Sequence, residues 1–204
     1  MMRFRLPKLL SSAFHMTLLR ARGIECSVAA FFENTSRLKI GEGCLIEAFS
    51  VIKGGEGGDS ALNIGPFSRV RKNAYISATD GRIDIGKNVL IAHNAWIGGR
   101  GSISIGDETL IGPNAVIVSS NHDLSATGIP AKDAPEIRGR IRIGRRCWVG
   151  ANATVVPNVE IGDGCIVAAG SVVVADVRNH TLVAGNPAKF IRNVLDNEKN
   201  PFDY

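Results

Sequence analysis

Ile and Val return at every sixth position along most of the chain. The sets are Ile40/Ile46/Ile52, Ile64/Val70/Ile76, Ile85/Ile91/Ile97, Ile105/Ile111/Ile117, Ile143/Val149/Val155 and Ile161/Val167/Val173. The first anchor of most sets closes a repeated phrase, aliphatic-x-aliphatic-Gly. It reads Leu38-Lys39-Ile40-Gly41, Leu62-Asn63-Ile64-Gly65, Ile83-Asp84-Ile85-Gly86, Ile103-Ser104-Ile105-Gly106 and Ile141-Arg142-Ile143-Gly144. Four residues after an anchor sits a small or modest residue, such as Cys44, Ser68, Ala95, Thr109, Cys147 or Cys165. Three after it, Asn and Gly recur: Gly43, Asn73, Asn88, Asn94, Asn114, Asn152, Asn158, Gly164 and Gly170. Those two residue types most readily accept a positive φ. Each hexad therefore predicts one short strand and one turn, with the branched anchor pointing inward. Three hexads make a three-sided coil, and stacked coils pair their strands in parallel and share one continuous core.

The coil starts lie 24, 21, 20, 38 and 18 residues apart. Eighteen is a bare coil, and small excesses are corner bulges. The excess between Ile105 and Ile143 predicts a protruding loop over about 118–140. A loop longer than about 12–15 residues in a regular solenoid points to function. The organisation expected is a basic N-terminal segment over 1–37, one solenoid domain over 38–195 and a C-terminal tail over 196–204.

Composition agrees with a narrow aliphatic core. Hydrophobic residues are 45% but aromatics only 6%, beside 23 Gly. Four Cys in 204 residues are too few for a disulfide scaffold. Mean hydropathy is +0.08 without an apolar run long enough for a spanning helix. The net charge of +5 gives a weak positive field. No dense Lys/Arg run carries interleaved aromatics, which speaks against nucleic acid.

Residues 1–22 are basic and apolar by turns. Arg3, Arg5 and Lys8 precede Leu9, Leu10, Phe14, Leu18 and Leu19, and Ser11, Ser12, His15 and Thr17 interrupt the run. That suits an amphipathic helix better than a signal peptide. It either covers the end of the fold or rests on a membrane surface.

The second half is more specific than the repeat. Cys147-Trp148-Val149-Gly150-Ala151-Asn152 leads through Ile161-Gly162-Asp163 to Ala169-Gly170-Ser171. Gly185-Asn186-Pro187-Ala188-Lys189 then closes the solenoid. With the hexads, these segments resemble the hexapeptide-repeat family of acyl-CoA-dependent O-acetyltransferases, in its sugar, polysaccharide and xenobiotic branch. The resemblance covers about residues 38–195. It implies an all-β, left-handed parallel β-helix, an exception to the usual right-handed crossover. It also implies acetyl-CoA as co-substrate, a carbohydrate acceptor and a homotrimer with active sites between subunits. A triangular prism with an exposed loop packs well about a threefold axis.

The loop carries Ser119-Ser120-Asn121-His122-Asp123. By resemblance His122 is the catalytic base. The chemistry needs one, because an alcohol is a poor nucleophile toward a thioester until its proton is accepted. Asp123 either orients the imidazole or caps a turn, and a backbone carbonyl would serve equally for orientation. Asn121 and Asp123 join the substrate-binding candidates. Trp148, one residue before an anchor, projects from the wall; the resemblance implies that it lines the acceptor or pantetheine slot, the alternative being a Trp packed at an edge. Lys189 and Arg192, with Gly150, are the residues expected to meet CoA, the two cations at its phosphates. One departure stands out. The Asn that touches the acceptor sugar in the galactoside and maltose branch falls at Ala92 here, and His93 beside it either substitutes for it or is a turn residue.

No metal is expected. The same solenoid serves a metal-dependent carbonic anhydrase class that needs three His, but His15, His93, His122 and His180 lack a close pair. Cys44, Cys147 and Cys165 share one hexad slot and read as reduced, buried thiols. No Ser or Cys nucleophile has a base at motif spacing, so acetyl transfer is expected to be direct. The alternatives are N-acetylation of an amino sugar, perhaps nucleotide-linked, or a non-catalytic solenoid scaffold. Acetyl-CoA use implies the cytoplasm, with residues 1–22 able to touch the inner membrane face.

Overall fold

A computed structural model of the protein describes residues 23–123, 125 and 128–195. The helix expected over 1–22 and the tail over 196–204 lie outside the described residues. The described chain winds into a left-handed β-solenoid with three flat walls. The first wall has nine strands, the second seven and the third six. Pairing within the walls is parallel, coil on coil, except for the C-terminal strand Lys189–Asn193, which turns back antiparallel on Thr181–Ala184.

The hexad anchors are in register. Ile46, Val70, Ile91, Ile111, Val149 and Val167 stack on the first wall. Ile52, Ile76, Ile97, Ile117, Val155 and Val173 stack on the second. Ile40, Ile64, Ile85, Ile105, Ile143 and Ile161 stack on the third. Every one of these side chains is buried. Burial of each is worth roughly 1.5–3 kcal/mol, and no coil achieves it alone.

The Gly after each third-wall anchor has a steric cause. Its N–H donates to the anchor carbonyl one coil on, as Gly65 does to Ile85 and Gly106 to Ile143, both at 2.8 Å. A Cβ on Gly65 would lie 2.5 Å from the Gly86 carbonyl carbon, and one on Gly106 would lie 2.6 Å from Arg145 N. The coils approach too closely for a side chain there.

The expected left-handed corner residues are all at positive φ. The same slot also holds Phe49, Phe67, Glu108, Arg146 and His180 at positive φ. These side chains accept a backbone region that costs them about 1–2 kcal/mol each. The solenoid geometry overrides local preference at those corners.

The small slot proves to be a hydrogen-bonded spine. Cys44 Sγ donates to Gly65 O (3.1 Å), Ser68 Oγ to Gly86 O (2.9 Å) and Thr109 Oγ1 to Gly144 O (2.9 Å). Cys147 Sγ donates to Gly162 O (3.0 Å) and Cys165 Sγ to Arg178 O (2.9 Å). Each link ties a corner to the next coil. All four Cys are buried, and none is joined in a disulfide among the described residues. Cys165 beside it, then burial, push the Cys147 thiol up.

Paired strands begin before residue 38. Glu25–Cys26 pairs with Leu45–Ile46, and Phe31–Glu33 pairs with Val51–Lys53. The rung positions there are Cys26 and Phe32, which break the Ile/Val pattern and so hide this partial coil from a sequence reading.

The chain keeps strict hexads at the third-to-first and first-to-second edges. From Ile40 to Ile143, all excess residues fall at the second-to-third edge. They are 54–60, 78–81, 98–101 and the long loop after Val118. One edge of the prism is thus elaborated and the other two are plain.

Candidate active site

The long loop leaves that elaborated edge as an antiparallel hairpin. Ser120–His122 pairs with Glu136–Arg138, and a short 3₁₀ turn covers Ala131–Asp133. The root is closed by backbone groups: Ser119 N donates to Gly98 O (3.0 Å) and Gly139 N to Ser119 O (2.7 Å). Ser119 itself is fully buried.

His122 sits at the outer end of the pairing, exposed. Its Nδ1 lies 3.0 Å from the Ala134 carbonyl oxygen. That carbonyl can only accept, so Nδ1 carries the ring proton in the neutral imidazole and Nε2 keeps its lone pair. The orienting group is therefore a backbone carbonyl. Asp123 does the other of its two expected jobs. Its Oδ1 accepts the Ser125 N–H at 2.9 Å, while its own N–H donates to Pro135 O. Hydrogen bonds from Ser125, side chain first and backbone second, hold the Asp123 carboxyl below its ordinary range. Asn121 Oδ1 accepts the His122 N–H at 2.9 Å and shapes the backbone at the base.

Four charged residues hold the hairpin against the coils, and a sequence reading misses all of them. Glu136 pairs opposite His122. Arg100 Nε lies 3.2 Å from Glu136 Oε2 and 3.7 Å from Asp80 Oδ2. Arg138 Nη2 lies 3.3 Å from the same Asp80 oxygen. Asp80 and Arg100 come from successive earlier coils, so the hairpin leans toward the N-terminal end of the edge. Asp80 and Arg100 lie in the corner insertions 78–81 and 98–101, outside the hexads, so the repeat gives no clue to these long-range pairs.

The other expected residues lie elsewhere on the prism. Trp148 is on the first wall, 37% exposed, between Leu110 and Ile166. Gly150 follows it, donating to Val167 O at 2.8 Å. A Cβ there would meet Ala169 N at 2.5 Å. Lys189 and Arg192 are on the C-terminal strand, beside Ala184 and Leu182 of the first wall. His93 is at the first-to-second edge, next to Ala92, with Nε2 4.0 Å from Glu47 Oε2. Glu47 also accepts from the Arg71 guanidinium and from Lys72 N (3.1 Å). Burial pushes the Glu47 carboxyl up, but those hydrogen bonds and the nearby positive charges outweigh it, and the net displacement is downward. His93 is thus part of an ionic cluster on a different edge from His122. Within one chain the structure does not bring His122, Trp148 and the Lys189/Arg192 pair onto one face.

Among the described residues no group of three His, Cys, Asp or Glu is placed to hold a metal. No described helix is long and apolar enough to cross a membrane.

The three-walled parallel solenoid with a projecting His hairpin defines a class, the hexapeptide-repeat transferases. Comparison with known proteins agrees. The bacterial transferase hexapeptide family (six repeats) matches residues 140–175. The galactoside O-acetyltransferase of Escherichia coli K12 is 32% identical over 143 residues, which cover 65% of this chain and 67% of that enzyme. A second Escherichia coli K12 protein, WbbJ, provisionally assigned as a lipopolysaccharide biosynthesis O-acetyl transferase, is 34% identical over 119 residues (55% of this chain, 61% of that one). The aligned stretches span from 44% to 67% of the curated relatives' lengths. In fold, the chain is similar to AntD, an N-acyltransferase from Bacillus cereus solved with dTDP and 3-hydroxybutyryl-CoA. That match has a TM-score of 0.58 and 18% identity over 88% of this chain and 87% of the other. The chain belongs to the hexapeptide-repeat acetyltransferases.

Proposed function

We propose that the protein transfers an acetyl group from acetyl-CoA to a hydroxyl of a carbohydrate or polysaccharide precursor. The observation that carries this reading is the His122–Ala134 contact at the elaborated edge, which leaves Nε2 free to accept a proton. The names of the sequence relatives support a hydroxyl over an amine.

In the reaction, His122 Nε2 takes the acceptor O–H proton as the oxygen attacks the thioester carbonyl. The C–S bond then breaks, and the imidazolium returns the proton to the departing CoA thiolate. No acyl-enzyme is required. A positioned base of this kind contributes about 10²–10⁴-fold. Lys189 and Arg192 receive the CoA phosphates as flexible and forked cations respectively.

The site is completed by a second copy of the chain. The outward positions of the first wall are mostly apolar (Leu45, Leu90, Leu110, Ile166, Leu182), as are those of the second (Val51, Tyr75, Trp96, Val116, Val172). Tyr75 and Trp96 stack with centroids 5.8 Å apart. The third wall presents Lys39, Asn63, Asp84, Ser104, Arg142 and Glu160 instead. Two apolar walls and one polar wall support a trimer that buries the former around a threefold axis. It would bring Trp148 and the C-terminal strand of one subunit toward the hairpin of another. Acetyl-CoA use places the reaction in the cytoplasm.

The test is thiol release from acetyl-CoA with matched hydroxyl and amine sugars. Turnover with hydroxyl acceptors that falls about 10²-fold or more in His122→Ala supports the reading. Wild-type turnover in that variant would remove His122 as base. Turnover with amine sugars alone would make the protein an N-acetyltransferase.

A further inference from the structure

The elaborated edge carries a second feature, three coils before the hairpin. The insertion 54–60 is rich in Gly and folds over the start of the third wall. Arg37 Nη1 donates to two of its carbonyls, those of Gly58 and of Ser60, the latter at 3.2 Å. Ser60 Oγ in turn accepts from Gly57 N at 3.0 Å. This packing forms one side of an open surface cavity of about 540 Å³ lined by Arg37, Lys39, Arg82, Asn63, Ser60 and Asp59.

Three cations therefore converge on one polar cavity. Arg37 is anchored by the insertion carbonyls. Arg82 is anchored by Asp84, with Nε to Oδ2 at 2.7 Å and Nη2 to Oδ1 at 3.1 Å. Asn63 Nδ2 donates to the same carboxylate at 2.6 Å. Asp84 is thus already committed to Arg82 and Asn63, and Asp59 is the one further carboxylate at the rim. Among the described residues, no hydrogen bond or ion pair holds the Lys39 ammonium. Two anchored guanidinium groups with one uncommitted ammonium form a receptor for a tetrahedral oxyanion.

The cavity and the His hairpin both lie at the second-to-third edge of the prism. Asp80, which grips Arg138 and Arg100 under the hairpin, lies two residues before Arg82. At a rung spacing of about 4.8 Å, the hairpin root is roughly 10–15 Å along the edge from the cavity. His122 stands two residues beyond that root, about 7 Å further out, so the span is that between a hydroxyl and a phosphate on one glycan of a few sugars.

We infer that this cavity is a phosphate subsite for the acceptor, holding a phosphate or diphosphate group of a glycan whose hydroxyl lies at His122. The inference rests on the acetyl-transfer reading for the position of the hydroxyl, but the anion site stands or falls by itself. Inorganic pyrophosphate titrated into the full chain by calorimetry is the probe. Because CoA phosphates would also attract it, two double variants are compared at equal melting temperature. Binding that survives in Lys189→Ala/Arg192→Ala and weakens about tenfold, ~1.4 kcal/mol, in Lys39→Gln/Arg82→Gln supports the subsite. No binding, or equal binding to Lys39→Gln/Arg82→Gln, overturns it. Co-sedimentation with phosphatidylglycerol vesicles is the second arm. Sedimentation that requires Lys39 and Arg82 would assign the cavity to a lipid headgroup and overturn the acceptor reading. If pyrophosphate binds as expected while no sugar releases thiol from acetyl-CoA, the acetyl-transfer reading fails and the anion site remains.

Discussion

The His122 imidazole is oriented across the hairpin by the Ala134 carbonyl oxygen, 3.0 Å from Nδ1. A carbonyl acceptor selects one tautomer. In nitrogen NMR of selectively labelled protein with the imidazole neutral, His122 Nδ1 should show the protonated shift and Nε2 the unprotonated one. The reverse assignment would mean the contact is not made in solution, and the base would then point its proton at the acceptor.

Asp123 is adjacent to His122 in sequence but serves the loop turn through Ser125 N–H. Asp123→Ala should therefore lower turnover by less than about tenfold, against the much larger loss in His122→Ala. Equal losses would assign Asp123 to the imidazole. The pH sign follows from its depressed carboxyl. The ionised cap is present above the ordinary carboxylate range and is lost only as pH falls through the lowered folded value. Protection of the Ser125 amide against hydrogen exchange should disappear on that acid limb in wild type and be absent throughout in Asp123→Ala.

Arg100 links Glu136 of the hairpin to Asp80 of an earlier coil. These groups are partly exposed, so each pair is worth only about 0–1 kcal/mol of stability. Their effect is to fix where the hairpin stands. Arg100→Ala should keep the melting temperature within a few degrees and lower kcat several-fold, about 1 kcal/mol, with KM for acetyl-CoA unchanged. Arg100→Lys should recover part of the loss, and added salt should depress wild-type kcat more than that of Arg100→Ala. Unchanged kcat in Arg100→Ala would remove the positioning role.

The repeat was legible because its signal is local: anchors, corners and small residues recur at a fixed spacing. The fold reading fails where geometry overrides local preference. Phe67 and Glu108 take left-handed corners that Asn or Gly would fill more easily, and Cys26 and Phe32 occupy rungs without an Ile or Val. The site was legible only at His122 and its neighbours. The Ala134 carbonyl is backbone and leaves no side-chain mark. Arg138 and Asp80 are 58 residues apart and meet only because the hairpin leans back along the edge. Trp148 and Lys189 share the first wall, while His93 is at the first-to-second edge and His122 is on the hairpin, so a single chain does not gather all four.

The Gly residues after the third-wall anchors are there for close approach, and this separates them from Gly in the open insertion. Gly65 lies without room for a Cβ, 2.5 Å from the next coil's backbone carbon, whereas Gly57 meets nothing within 4 Å. Gly65→Ala must push two coils apart or bend the rung, and it weakens the Gly65 N–H to Ile85 O bond. The cost should be about 2–4 kcal/mol, within the range of overpacked cores and strained backbones. Gly57→Ala should change stability by less than about 0.5 kcal/mol, because its backbone is not left-handed and its surroundings are open. Denaturant unfolding of the two variants at equal protein concentration gives the comparison. Gly65→Ala with wild-type stability would mean that the coils have slack at this rung, and the aliphatic-x-aliphatic-Gly phrase would then need another cause.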